Sequence, residues 1–151
     1  SKRPPDRQPV LLDTWRSVIE TAAGNGALVI GGKSMGGRMA SLVADESGAD
    51  GLICLGYPFH PPGKPDKLRT EHLESITCPT LILQGERDPF GTRPEVENYP
   101  LSAAITIEWL PDGNHDLSPR KASGHTAASN MAATISAAVK FLELAAQAPK
   151  T

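Results

Sequence analysis

The length, composition and charge of the chain are those of one ordinary globular domain. It has 151 residues, 39% hydrophobic and 21% charged, with a formal net charge of −2. We therefore expect a single domain over residues 1–151, without the basic excess of a nucleic-acid-binding protein. No apolar run approaches the roughly 18 residues that span a membrane, and no secretory leader is recognisable. Two cysteines, Cys54 and Cys78, are too few for a disulfide framework. These observations favour a cytoplasmic protein that binds neither nucleic acid nor membrane.

The first element predicted along the chain is an amphipathic helix over residues 9–23. Its apolar residues recur with helical spacing, at Leu11, Leu12, Trp15, Val18, Ile19 and Ala22. Pro9 suits the start of a helix and Gly24 suits its end. A solvated arm is expected before it, because prolines alternate there with the basic residues Lys2, Arg3 and Arg7.

Short apolar runs then alternate with helical patterns. Each run is continuous, which is typical of a strand buried on both faces; the runs are residues 27–32, 51–58, 79–86 and 104–111. Helices are predicted at 35–48 and from Thr126 to Ala146. The second helix has one apolar face, formed by Met131, Ile135, Val139 and Leu142. The alternation predicts an α/β fold, with an open parallel sheet of about four strands flanked by helices.

Residues 58–74 interrupt this alternation. Four prolines stiffen the first half of the segment, and we expect a loop over the carboxyl ends of the strands, where such sheets bind ligands. The candidate substrate-pocket residues are Lys33, Tyr57, Phe59, His60 and Phe90. An exposed, solvated charge is the alternative for Lys33.

The stretch Gly32-Lys33-Ser34-Met35-Gly36 fits two competing chemistries to different degrees. A phosphate-binding Walker loop requires a glycine at position 27, where the chain has Ala27, and a flexible backbone where it has strand-forming residues. Nucleotide binding is therefore disfavoured. The G-x-S-x-G pattern of a nucleophile elbow fits at every position, because the stretch lies between a predicted strand and a predicted helix.

A nucleophile elbow explains the glycines around Ser34. The sharp turn from strand to helix forces the serine into a strained backbone conformation and lifts its hydroxyl above the sheet. Side chains at Gly32 and Gly36 would collide with neighbouring backbone, so both glycines are expected to be required. The amide of Met35, at the helix start, can donate to a developing oxyanion. The alternative is a glycine-rich turn that only packs the helix close to the sheet.

Candidates for the base and its carboxylate partner follow the third and fourth strands. Serine, acid, histidine is the chain order of elbow hydrolases, and Asp88 and His115 lie in loops where they can converge on Ser34. Asp88 before Pro89 is also typical of a plain turn. The weaker candidates are Glu86, Asp112 (expected in a turn), His60 (in the proline loop), His72 (expected to be solvated) and His125 (expected near a helix start).

Four segments of the chain, taken together, are similar to a known family: GGKSMGGRMAS, LGYPFHPPGKPDKLRTEHL, LILQGERDPFG and WLPDGNHDL. They resemble the small α/β-hydrolase-like proteins grouped with testis-expressed protein thirty and nonspecific-lethal complex subunit three, whose bacterial members are described as dienelactone-hydrolase-like. The resemblance implies an α/β-hydrolase fold and a catalytic triad of Ser34, Asp88 and His115. It implies no substrate. Because the group includes a subunit of a chromatin complex, a hydrolase-like interaction module without turnover is the alternative.

The resemblance also implies an earlier strand and an HGAG-like loop, which supplies a second oxyanion amide in the family. The chain contains no such segment, and we expect it to be the later part of a longer hydrolase with its first strand at an exposed sheet edge. A second copy or a companion N-terminal polypeptide is expected to cover that edge. The function expected is that of a cofactor-independent serine esterase, which acts on a small ester or related acyl substrate through an acyl-enzyme.

Overall fold

The structure of the protein is a computed structural model, which describes residues 7–22 and 26–147. Within these residues it contains four strands, which are β1 Val29–Lys33, β2 Gly51–Leu55, β3 Thr80–Gly85 and β4 Ile105–Leu110. Its helices are α1 Gln8–Ala22, α2 Met35–Ser47, α3 Arg93–Val96 and α4 Ala127–Ala146, with short 3₁₀ turns at Glu71–Glu74 and Lys121–Ser123. Three residues that carried predictions lie outside the described residues: Lys2, Arg3 and Gly24.

The four strands form one parallel sheet and lie side by side in chain order, β1-β2-β3-β4. This arrangement confirms the α/β fold predicted from the alternation of apolar runs and helices. In the register, Gly32 of β1 lies opposite Cys54 of β2. Because parallel strands end at the same edge of a sheet, the segments that follow β1, β3 and β4 emerge together. Those segments carry Ser34, Asp88 and His115.

The two faces of the sheet pack against different helices. Successive side chains of a strand point to opposite faces of the sheet, so alternate residues of β2 pack on different sides. Leu52 and Cys54 join the buried cluster that includes residues of α1 and α2, whereas Ile53 and Leu55 pack in the cluster that contains Phe141 of α4. The continuous apolar run of β3 follows from this layering, because β3 is covered on both sides and buried at all six positions. In β4 the prediction of burial on both faces was wrong, since Thr106 and Glu108 are exposed.

The apolar face that spacing predicts for α4 does not contact the sheet. Its four residues are between 43% and 56% exposed, and they are Met131, Ile135, Val139 and Leu142. The helix packs instead through Ala137 and Phe141, and a side chain at Gly51 would come within 2.8 Å of the Phe141 ring. None of the described helices, α4 included, is long and apolar enough to cross a membrane.

Candidate active site

Ser34 occupies the sharp turn between β1 and α2. Its backbone φ of 52° and ψ of −121° lie in a region that residues other than glycine rarely adopt. Two backbone hydrogen bonds hold this conformation. The Ser34 N–H donates to the Leu55 carbonyl at 2.8 Å, and the Arg38 N–H donates to the Ser34 carbonyl at 3.0 Å. The backbone strain predicted for a nucleophile elbow is therefore present.

The glycines that this turn requires are Gly32 and Gly37. A Cβ atom at Gly32 would lie 2.7 Å from the Gly36 carbonyl carbon, and one at Gly37 would lie 2.7 Å from the Gly32 carbonyl oxygen. A Cβ atom at Gly36 would meet nothing within 4 Å. The prediction that Gly36 is sterically required was therefore wrong. The close approach of α2 to the end of β1 falls one residue later, at Gly37, whose Cβ would also come within 3.2 Å of the Cys54 Cβ.

The structure brings the side chains of Ser34, His115 and Asp88 into one hydrogen-bonded chain. His115 Nε2 lies 2.9 Å from Ser34 Oγ, and His115 Nδ1 lies 2.8 Å from Asp88 Oδ2. When Nδ1 is protonated and donates to the carboxylate, Nε2 carries the lone pair that can accept the serine proton. The His115 side chain is 22% exposed and Asp88 is fully buried, so solvent reaches the imidazole but not the carboxylate.

Hydrogen-bond donors surround the buried carboxylate of Asp88. Its Oδ1 accepts from the Phe90 N–H at 2.8 Å, and its Oδ2 accepts from Gln84 Nε2 at 3.1 Å. Burial raises the pKa of the Asp88 carboxyl, while the hydrogen bonds to His115 and to the Phe90 amide oppose this shift. These donors therefore favour the ionised form that burial disfavours.

Gln84 is a residue of this site that the sequence analysis missed. It is fully buried near the end of β3, and its Oε1 accepts from the Tyr57 N–H at 2.8 Å. Its Nε2 lies within 3.2 Å of three acceptors, which are Asp88 Oδ2 and the carbonyls of Tyr57 and Gly91. The available signal was an amide side chain inside the apolar run of β3, because a buried amide needs partners.

The other carboxylates considered for the acid are held elsewhere. Asp112 has a φ of 52°, as a residue in a turn can have, and forms ion pairs with Arg87 and Arg120. Glu86 Oε2 pairs with Arg93 at 3.0 Å, and Glu86 Oε1 accepts from the Asp112 N–H. These contacts form an ion-pair network beside the site, and neither carboxylate has a recorded contact with His115.

Two of the alternative histidines take no part in this chain of hydrogen bonds. One of them has other hydrogen-bond partners, and the other is exposed to solvent. His60 is buried, with Nδ1 2.8 Å from the Pro61 carbonyl and Nε2 3.1 Å from Glu95 Oε2. It is therefore closed to substrate, and its assignment to the pocket was wrong. His125 is exposed just before α4, as expected.

His72 forms a second serine–histidine pair, and the expectation that it is solvated was wrong. It is half-buried, with Nε2 2.8 Å from Ser41 Oγ and 3.4 Å from the Tyr57 hydroxyl oxygen. The Ser41 hydroxyl donates to the Arg38 carbonyl at 2.5 Å, so it accepts from His72 rather than giving up its proton to it. This pair is not a nucleophile with its base.

The aromatic residues predicted for the pocket divide between the core and the site. Tyr57 and Phe59 are fully buried, with ring centroids 4.8 Å apart, so their assignment as pocket walls was wrong. The Tyr57 hydroxyl donates to the Arg69 carbonyl at 2.9 Å, which satisfies its polar end inside the core. Phe90 lies at the site, with its ring centroid 4.2 Å from that of His115.

Lys33 and Met35 flank Ser34 and have different surroundings. Lys33 is exposed and pairs with Asp116 Oδ1 at 2.7 Å, close in sequence to His115. The Met35 amide begins α2, and no acceptor for its N–H is recorded among the described residues, so it can donate to an oxygen beside Ser34. No cluster of three or more histidine, cysteine, aspartate or glutamate side chains within residues 7–22 and 26–147 has the arrangement of a metal site.

Comparisons with known proteins agree with this fold. A family model described as an alpha/beta hydrolase domain matches residues 1–143. The crystal structure of a His-tagged serine hydrolase involved in carbazole degradation (CarC enzyme) is 15% identical with a TM-score of 0.65, and the match covers 94% of this chain and 74% of that one. At this identity the likeness is one of fold.

Two further solved structures share the fold with low sequence identity. An alpha-beta serine hydrolase homologue from Coxiella burnetii is 19% identical with a TM-score of 0.59, over 78% of this chain and 58% of that one. The esterase domain of a Rhodothermus marinus protein is 13% identical with a TM-score of 0.59, over 86% of this chain and 67% of that one. The chain thus matches between about three fifths and three quarters of these three structures.

Proposed function

Because the chain belongs to the alpha/beta hydrolase domain family, we propose that it is a serine hydrolase that cleaves a small ester or related acyl compound. The observation that carries the proposal is the position of His115, within 2.9 Å of Ser34 Oγ and 2.8 Å of Asp88 Oδ2 at a strained strand-to-helix turn. The motifs quoted above support membership of the small-hydrolase group with dienelactone-hydrolase-like bacterial members.

The reaction proceeds through an acyl-serine. His115 Nε2 takes the hydroxyl proton as Ser34 Oγ attacks the substrate carbonyl carbon, and returns it to the leaving alcohol oxygen as the ester C–O bond breaks. Water then attacks the acyl carbon, His115 takes a proton from it, and the acid leaves as that proton returns to Ser34 Oγ. Asp88 fixes the imidazole tautomer and stabilises the imidazolium formed in each half-reaction. These steps use only water and groups of this chain.

The Met35 amide is the oxyanion donor in this proposal. It lies one residue after the nucleophile, at the start of α2, where the helix dipole favours negative charge. Phe90 packs against the imidazole, and in this proposal it borders the acyl or alcohol group of the substrate.

Labelling with a fluorophosphonate probe tests the proposal, because such a probe reacts with an activated serine. We expect the label on Ser34, and we expect the Ser34→Ala variant to remain unlabelled. Its kcat/KM on a short-chain aryl ester should be roughly 10⁴–10⁶-fold lower. Ser41→Ala is the matched control, because Ser41 also lies 2.8 Å from a histidine nitrogen and should label normally. Equal labelling of the Ser34→Ala variant and the native chain would contradict the proposal.

The exposed apolar face of α4 favours a second candidate, a hydrolase-shaped interaction module without turnover. The side chains of Met131 and Ile135 are more than half exposed there, and exposed apolar patches often mark binding surfaces. A folded chain that neither labels nor cleaves a panel of aryl esters, and that purifies with a stoichiometric partner, would support this candidate against the esterase.

A further inference from the structure

A cavity of about 530 Å³ that is open to solvent lies beside α2, and none of Ser34, Asp88 and His115 lines it. Its wall is formed by Arg38 and Leu42 of α2 and by part of the segment that ends in the 3₁₀ turn, namely Leu68, Arg69, Glu71 and His72. This volume is within the range of cavities that hold small organic ligands.

Two of the cavity's side chains, Arg38 and Arg69, are guanidinium groups without a carboxylate partner in the part of the chain that the structure describes. Other arginines of the same part form ion pairs, and they are Arg16, Arg87, Arg93 and Arg120. The Arg38 Nε atom is also buried and has no hydrogen-bond acceptor there. A buried donor without an acceptor is costly. Because Arg38 as a whole is only partly buried and lines the cavity, a ligand oxygen beside its guanidinium would offset part of this cost.

Hydrogen bonds hold the backbone of both arginines. The Ser41 hydroxyl donates to the Arg38 carbonyl at 2.5 Å, and the Tyr57 hydroxyl donates to the Arg69 carbonyl at 2.9 Å. His72 Nε2 lies within 3.4 Å of both hydroxyl oxygens and links the two contacts. The backbone of the cavity wall is therefore already organised, which lowers the part of the entropy loss on ligand binding that comes from the main chain.

We propose that this cavity is a binding site for a small organic anion. The carboxylate or phosphate oxygens of the ligand accept hydrogen bonds from the guanidiniums of Arg38 and Arg69, and a short apolar part lies against Leu42 and Leu68. The lining contains two guanidiniums and one carboxylate, that of the exposed Glu71. The lining therefore carries a net positive charge that complements one anionic group.

Calorimetric titration at low ionic strength tests this site with three probes: sodium benzoate, sodium phosphate and neutral benzamide. We expect benzoate or phosphate to bind and benzamide to fail, because benzamide has the ring of benzoate without its charge. Tighter binding of benzoate would indicate a carboxylate ligand with an apolar part, and tighter binding of phosphate would indicate a phosphate ester; either result supports the site. Failure of both anions to bind, or equal binding of benzamide, would overturn the proposal.

Variants of the lining identify the groups responsible. Arg38→Met and Arg69→Met should each weaken anion binding about tenfold or more, since each removes a charge-assisted hydrogen bond. Glu71→Gln should tighten it by removing a repelling carboxylate. Lys140→Met removes one positive charge from α4, on the opposite face of the sheet, and should leave binding unchanged.

Two of these substitutions keep the test decisive even where Arg38→Met lowers stability. Arg69 is partly exposed and Glu71 is exposed, so we expect their variants to fold. Circular dichroism checks that they do. Unchanged affinity in a folded Arg69→Met variant would overturn the site. Binding is measured without turnover, so this proposal and the esterase proposal can fail separately.

Discussion

Gln84 links the candidate active site to the core at the scale of a single side chain. Its amide contacts the main chain at Tyr57 and Gly91 as well as the carboxylate of Asp88. Because the residue is fully buried, each of these contacts replaces one that water would otherwise make. Gln84 therefore positions the acid of the proposed triad without touching the reacting atoms.

Replacing Gln84 should separate this positioning role from a structural one. Gln84→Leu leaves backbone groups at residues 57 and 91 without their side-chain partner, and we expect a loss of about 2–4 kcal/mol in the free energy of unfolding, measured by urea titration. Gln84→Glu places a second carboxyl group beside Asp88 and raises the Asp88 pKa further, as like charges do. The added negative charge also favours the imidazolium of His115 over the neutral base that the proposed reaction needs, so the acidic limb of the kcat/KM profile on an aryl ester should move to higher pH. A Gln84→Glu profile that overlays the native one would contradict the positioning role.

Sequence alone selected the three residues that the structure joins in one hydrogen-bonded chain, but it did not predict which aromatic residues are buried in the core. Ser34, Asp88 and His115 could be selected because the elbow pattern and the chain order specify them in advance. The sequence predicts Tyr57 and Phe59 as pocket residues because they follow the second strand, at the edge where such sheets bind ligands. Their burial depends on tertiary packing between segments far apart in the chain, which no local pattern reports.

The turn between β1 and α2 shows the same limit at the scale of an element. The motif directs attention to Gly36, yet Gly37 is the residue whose Cβ position lies against the end of β1 and against Cys54 of β2. The direction of a Cβ in the first turn of a helix depends on how that helix is set on the sheet. The sequence pattern alone therefore does not show which of the two glycines lies against the sheet.

A pair of substitutions in this turn tests the steric assignment. Gly37→Ala forces the new methyl group against the Gly32 carbonyl oxygen, and we expect a loss of about 1–3 kcal/mol in stability. Gly36→Ala adds a methyl group where a Cβ meets no atom within 4 Å, and should stabilise the helix by up to about 1 kcal/mol. Urea unfolding of both variants gives the comparison. Equal destabilisation by the two substitutions would contradict the steric assignment.

The contact between α2 and the 3₁₀ turn at Glu71–Glu74 should depend on pH through His72. Burial, and then the nearby Arg38, lower the pKa of His72 from its ordinary value near 6.5. The unfolded chain therefore takes up this proton at a higher pH than the folded chain does, and this contribution lowers stability as pH falls below about 6.5.

Substitution of His72 isolates this contribution from those of other groups. The difference in the free energy of unfolding between pH 7.5 and pH 5 should be smaller for His72→Gln than for the native chain. The exposed His125→Gln variant is the matched control and should keep the native difference. If the His72→Gln variant showed the native difference in unfolding free energy between the two pH values, proton binding by His72 would not be linked to folding.

The order of strands and helices in the complete fold was predictable, whereas the orientation of α4 was not. Alternating apolar runs and helices imply strands covered on both faces by helices. This holds for β3, which is buried at all six positions, but not for β4, whose Thr106 and Glu108 are exposed. The spacing of apolar residues in α4 correctly predicts a helix with an apolar face. The helix nevertheless packs on the sheet through Ala137 and Phe141. The spacing of apolar residues identifies an apolar face but does not show which face of the helix fits the sheet.

The exposed face of α4 predicts that the 151-residue chain self-associates. Met131, Ile135, Val139 and Leu142 lie at intervals of four, four and three residues and are all at least 43% exposed, which places them along one side of the helix. A contiguous apolar stripe of this kind loses unfavourable contact with water when two copies meet. Sedimentation velocity should therefore show a weight-average mass that rises with protein concentration.

Charged substitutions within the stripe should remove this association and leave the fold unchanged. We expect an Ile135→Lys and Val139→Lys double variant to stay monomeric over the same concentrations. Its unfolding free energy should change by no more than about 0.5 kcal/mol per site, as for exposed positions generally. Ala133→Lys adds a charge to another exposed side of α4 and should associate as the native chain does. A native chain that sediments as a monomer throughout would contradict the prediction.

If the double variant still associated, a surface other than the α4 stripe would have to be responsible. The unpaired edge of β1 would then be the next surface to test, because β1 pairs only with β2 among the described residues.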